Sequence, residues 1–133
     1  MASLSTLWIS WFSAWQTLTA GSRDQRPRTE ILMSDLYEID SRLVVLCKHL
    51  LKWQFQPNRR SSSWRAAIVG ARNGMVRAIR NSPSLKNYPD NVLADAYADG
   101  RHQVQVETGL TKLPAECPWP VEQMLKHDFW PES

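Results

Sequence analysis

Only two cysteines occur, Cys47 and Cys117, and there is no CxxC spacing, so neither a disulfide framework nor a cysteine-bound zinc holds this chain together. No stretch approaches 18 uninterrupted apolar residues, which rules out a membrane-spanning helix on length alone. A glycine-rich phosphate loop and a Ser, His, Asp triad are also missing, and with them the enzyme classes those motifs announce. Excess charge is small. Sixteen Lys and Arg against thirteen Asp and Glu leave +3, well short of the dense basic stripe of a dedicated nucleic-acid binder. The apolar, uncharged residues 1–22 lack the basic start of a secretory signal, because nothing basic precedes Arg23. These absences favour a reducing, cytoplasmic setting, and no spacing calls for a metal or a cofactor.

The 133 residues, 43% of them hydrophobic, suffice for one core that buries roughly two thirds of the unfolded surface. The strongest periodic signal is Leu32, Leu36, Ile39, Leu43, Leu46, Leu50 and Trp53, spaced alternately four and three apart. It predicts a helix of roughly 35 Å at 1.5 Å per residue. Val44, Val45, Cys47 and Leu51 widen its apolar face enough to meet more than one neighbour. Pro57 and Ser61-Ser62-Ser63 break the chain and offer a capping hydroxyl before Trp64. Trp64, Ile68, Ala71, Met75 and Ile79 then repeat the spacing, and Gly70 and Gly74 are read as places where a neighbouring helix comes close. A third helix is expected over 91–108 with Asp90 as its N-cap, Leu93, Ala96, Tyr97 and Val104 inward, and Gly109 as its C-cap. The tail carries Pro114, Pro118, Pro120 and Pro131, with a short helix over about 120–126 and Trp119, Phe129 and Trp130 as anchors.

The fold class that follows is all-α: a small bundle of three or four helices wrapped by a proline-rich tail. Residues 31–133 form the helical-bundle domain. Residues 1–30 form an atypical aromatic segment and linker, in which Trp8, Trp11 and Trp15 line one helical face. A homodimer formed through that tryptophan face is one expectation, and a protein partner is another.

His49-Leu50-Leu51-Lys52-Trp53-Gln54-Phe55-Gln56-Pro57, followed by Arg60-Ser61 and Ser63-Trp64, resembles the signature of a bacterial family known as domain of unknown function 29. Ser82-Pro83-Ser84-Leu85, Glu107-Thr108-Gly109-Leu110, Pro114 with Glu116-Cys117-Pro118, and Asp128-Phe129-Trp130-Pro131-Glu132 continue the likeness in the same order. The resemblance covers about residues 28–133 and stops at the first 28. It implies a helical, cytosolic bundle without an established activity, cofactor or catalytic residue. One departure is Pro120, where the family usually has a hydroxyl residue able to cap the last helix.

Two constellations carry chemistry. Lys52, Gln56, Arg59, Arg60, Ser63 and Trp64 gather at the helix junction, where cations, aromatic faces and a helix start would suit an anion or a binding partner. The same residues also read as an ordinary inter-helix corner with arginines capping a helix end. Arg42 and His49, seven apart on the long helix, form an Arg-x6-His pair like that of helical ribonucleases, in which a His acts as base and an Arg stabilises phosphorane charge. They also read as part of a solvated face with Glu38 paired to Arg42. Asp95, Asp99 and His102 make a stripe of ligand types on one helix that would need a further ligand from elsewhere to hold a metal. Arg72, Arg77 and Arg80 read as solvated, and Cys117 as a small packing residue. The functional expectation is a non-catalytic binding or protein-interaction module. The alternative is a helical ribonuclease or nucleic-acid-binding protein.

Overall fold

The computed structural model describes residues 28–132, with side chains from Met33 onward. The tryptophan face at 8–15, the linker before Arg28 and dimerisation through that face lie outside the described residues. Four α-helices follow in order: α1 (Arg28–Phe55), α2 (Ser62–Asn81), α3 (Tyr88–Thr108) and α4 (Val121–Met124). Short 3-10 turns at Pro57–Arg59 and Pro83–Leu85 join the first three. No strand occurs among the described residues, so the all-α bundle with a wrapping tail is the observed architecture.

The heptad-like spacing of α1 becomes the centre of the core. Ile39, Leu43, Leu46 and Leu50 are fully buried, as are Cys47 and Leu51 on the widened flank. Two neighbours share that broad face. Along α2, Gly74 lies against Glu38 and Arg42, and Ser82 at its far end donates to Asp35, so the partner numbers run in opposite directions and the helices are antiparallel. Along α3, Tyr88 meets Asp40, Gly100 meets Val44 and Lys48, and Glu107 meets Lys52. Those numbers rise together, and α3 is parallel to α1.

The two glycines read as close-packing sites differ. A Cβ on Gly74 would come within 2.8 Å of Arg42 Nε, whereas one on Gly70 would meet nothing within 4 Å. Gly70 faces open space and packs against nothing. The approach to helix backbone is instead at Gly100, where a Cβ would stand 3.1 Å from the Lys48 amide nitrogen and 3.1 Å from the Val44 carbonyl. Gly100 sits where α3 crosses the backbone of α1.

Local signals set most of the helix ends. The Ser61 side chain accepts from the Trp64 amide at 3.2 Å, capping α2 as expected. Gly109 adopts φ 76° and its amide donates to Gln105, closing α3. The start of α3 is a correction: it begins at Tyr88 rather than 91, and Asp90 lies in its first turn instead of capping it. Pro89 explains the shift, since its fixed φ suits a helix's first turn, where its missing N–H costs nothing and the Asp90 charge complements the dipole. The last helix begins at Val121 without a side-chain cap and lasts one turn.

The tail is held by one buried cation. Arg72, expected on a solvated face, is fully buried. Its guanidinium donates to the carbonyls of Met124 (2.7 Å), His127 (3.4 Å) and Phe129 (2.5 Å). Burial lowers its pKa from the ordinary value, but an arginine remains charged. Tyr97 donates to the Pro114 carbonyl at 2.7 Å, and Trp119, Val121 and Met124 close the core.

Candidate anion-binding junction

The end of α1 and the start of α2 meet at a corner where the tail returns. Trp53, 7% exposed, packs on Trp130 with ring centroids 4.8 Å apart. Three arginines cover this pair. Arg60 lies 4.9 Å over Trp53, Arg72 lies 5.1 Å over Trp130, and Arg65 stands 5.6 Å from both rings. Arg60 is held in place by its Nε, which donates to the Trp53 carbonyl at 2.8 Å, and by Nη2, which reaches Pro131 at 3.4 Å. Trp53, Arg60, Ser61, Ser62 and Arg65 line an open cleft of about 320 Å³. No carboxylate lines it. A second cleft, of about 480 Å³ beside α4, is lined by Glu122, Asp128 and Lys126 together, so it has no single charge preference.

The six junction residues separate once folded. Arg60 lines the cleft, and Ser63 is exposed in the first turn of α2 beside it. Arg59 is exposed on the 3-10 turn and makes no ion pair among the described residues. Gln56 is half-buried and caps that turn without a side-chain hydrogen bond. Lys52 turns the other way: its ammonium bonds Glu107 at 2.8 Å and lies 5.0 Å over the half-buried Trp64. Lys48 joins the same carboxylate, and the hydrogen bonds from both lysines hold Glu107 below its ordinary pKa.

Arg42 and His49 occupy separate settings on α1. Arg42 Nε bonds Glu38 at 2.9 Å beside Gly74. His49 places Nδ1 2.9 Å from the Val45 carbonyl, where it serves as donor and leaves Nε2 as acceptor. Burial lowers the His49 pKa, and the neighbouring Lys52 and Lys48 lower it further. Neither residue lines the junction cleft. Asp95, Asp99 and His102 remain on α3, and no group of three or more potential metal ligands converges among the described residues.

Arg65 belongs to the basic cluster that the sequence places at this junction, and what emerges only in the fold is the contact of Trp130 with Trp53. Trp130 comes from 77 residues beyond Trp53, a distance no local pattern bridges. One sequence signal does point here: between Asp40 and Asp90 the chain carries ten Lys and Arg and no Asp or Glu. The overall charge of +3 conceals this segregation.

A helical bundle with its tail bound over an arginine and tryptophan corner is thus the class that fold and site define. Residues 29–130 match the family described as Domain of unknown function DUF29, and the chain belongs to that family. The first 28 residues fall outside the match. No curated protein and no solved structure matches the chain. No helix among the described residues is long and apolar enough to cross a membrane.

Proposed function

We propose that this bundle is a non-catalytic binding module whose junction cleft receives an anionic group of its partner. The observation that carries the reading is a cleft lined by Arg60 and Arg65 with the hydroxyls of Ser61 and Ser62, and by no carboxylate. The physical logic is preorganisation. Arg60 is fixed by two backbone carbonyls and an indole face, so little side-chain freedom is lost when it meets an anion. With the Trp64 amide taken by Ser61, the Ser62 and Ser63 amides of α2 still lack intrahelical acceptors, and the helix dipole adds its positive end. Arg59 and Ser63, both exposed, adjoin Arg60 and Ser62 along the chain and extend the contact surface, whereas Gln56, Lys52 and Trp64 do not line the cleft.

Titration of the full chain with pyrophosphate, followed by tryptophan fluorescence, tests this reading. Binding that weakens about tenfold in Arg59→Ala/Arg65→Ala and falls with added salt is expected. Binding unchanged by that pair of substitutions would sink the proposal. Arg60 is left intact because it also ties the corner together. The ribonuclease alternative, with His49 as base and Arg42 as charge stabiliser, draws support from the oriented His49 ring, although Glu38 engages the Arg42 guanidinium. RNA cleavage by the same preparation that disappears in His49→Ala would replace the binding reading with that one.

A further inference from the structure

We infer that the outward face of α2 is a surface for the phosphate backbone of duplex nucleic acid, continuing from the junction cleft. The inference builds on the junction reading, since Arg65 belongs to both surfaces. Arg65, Val69, Asn73, Arg77 and Arg80 are all exposed, and steps of three, four and seven return them to one side of the helix. From Arg65 to Arg80 the face extends roughly 22 Å, which spans about six or seven base-pair steps.

Three observations select the partner. First, α2 contains no acidic residue, and Arg65, Arg77 and Arg80 make no ion pair among the described residues. The positive charge on this face is therefore uncompensated, in contrast to Lys48 and Lys52, which Glu107 neutralises. Second, the face lacks an apolar anchor. Val69, at 37%, is its one exposed large hydrophobic residue, and the neighbouring Gly70 projects nothing. Protein interfaces draw on buried aromatic and apolar anchors beside their arginines, so an acidic protein finds no hold here beyond the guanidinium charges. Third, the aromatic rings at the junction are already covered by Lys52, Arg60 and Arg65. Unpaired bases that would stack on them must first displace those cations. What remains is a row of exposed guanidinium groups along one helix face, without ion pairs among the described residues, which suits a regular row of phosphates and carries no base readout.

Fluorescence anisotropy of the full-length protein with a labelled DNA duplex of about 20 base pairs, at about 50 and 200 mM salt, tests the inference. Arg77→Ala/Arg80→Ala is the decisive variant, because both positions are exposed and alanine favours helix. It is expected to weaken duplex binding about tenfold and to reduce the salt slope by about 1.8, two contacts at roughly 0.9 each. Pyrophosphate binding at the junction should be unaffected. Duplex affinity unchanged in this variant, or no duplex binding, overturns the inference and leaves the junction reading in place. Tighter binding to poly-glutamate than to the duplex also overturns it, in favour of an acidic protein. A duplex loss as expected, with pyrophosphate binding indifferent to Arg59→Ala/Arg65→Ala, overturns the junction reading alone.

Discussion

At the scale of single residues, Arg72 shows how a charge can be buried without a carboxylate. Three peptide carbonyls and the Trp130 face surround its guanidinium, so the desolvation of the ion is offset by charge-assisted hydrogen bonds. Replacing it with methionine, which is shorter and has no donor, would leave three acceptors unpaired. Arg72→Met is expected to lower unfolding free energy by about 3 kcal/mol, read from urea denaturation. A loss below about 1 kcal/mol would mean that water substitutes for the guanidinium. This role was invisible in the sequence for a definite reason. The carbonyls come from 52 to 57 residues further along, and backbone acceptors leave no trace in residue identity. By position, Arg72 looked no different from Arg77 and Arg80, which are exposed.

At the scale of elements, the glycines of α2 and α3 separate what periodicity can reveal from what it cannot. The buried stripe of α1 was readable because it depends on spacing alone, and Ile39, Leu43, Leu46 and Leu50 fall where the three-and-four pattern puts them. The crossing of α3 over α1 depends on which residue meets backbone, and Gly100 carried no pattern to mark it. Substituting the glycines tests this difference. Gly100→Ala forces a methyl to 3.1 Å from the backbone of α1 and is expected to destabilise by about 1–3 kcal/mol. Gly70→Ala meets nothing within 4 Å and is expected to stabilise by up to about 1 kcal/mol through helix propensity. Thermal unfolding of the two variants should therefore move in opposite directions, and a shift in the same direction would contradict the packing described. The junction was half legible on the same terms. Its residues were near in sequence, but Lys52 and Trp64 lie on the Glu107 side, and the second indole of the corner arrives from the tail.

At the scale of the whole molecule, titrating groups on different helices bound one pH window. His49 has a pKa below its ordinary 6.5 because of burial, so the unfolded chain takes up its proton first. The stability due to neutral His49 is present above about pH 6.5 and is lost as pH falls toward the folded value. Glu107, held below its ordinary 4.5 by Lys48 and Lys52, adds a loss of the same sign at lower pH. Asp40, raised mainly by burial, works in the opposite direction in acid. At the alkaline end, burial pushes Tyr88 and Tyr97 up to about 12, and for Tyr88 the Asp40 carboxylate contributes. Their contribution is complete below the ordinary value of 10 and is lost as pH rises through about 12. Urea unfolding across pH should thus show decline below about 6.5 and again above about 10. His49→Gln should flatten the first decline and Tyr88→Phe should reduce the second. A profile unchanged by either substitution would remove these groups as its cause.

Because Arg72 hydrogen-bonds only peptide carbonyls, what it reads in the tail, beyond the Trp130 ring it lies over, is the path of the backbone. His127, whose carbonyl is one of the three acceptors, is itself exposed. Its side chain can change without loosening the fastening, so position 127 can drift in sequence while the tail keeps its place.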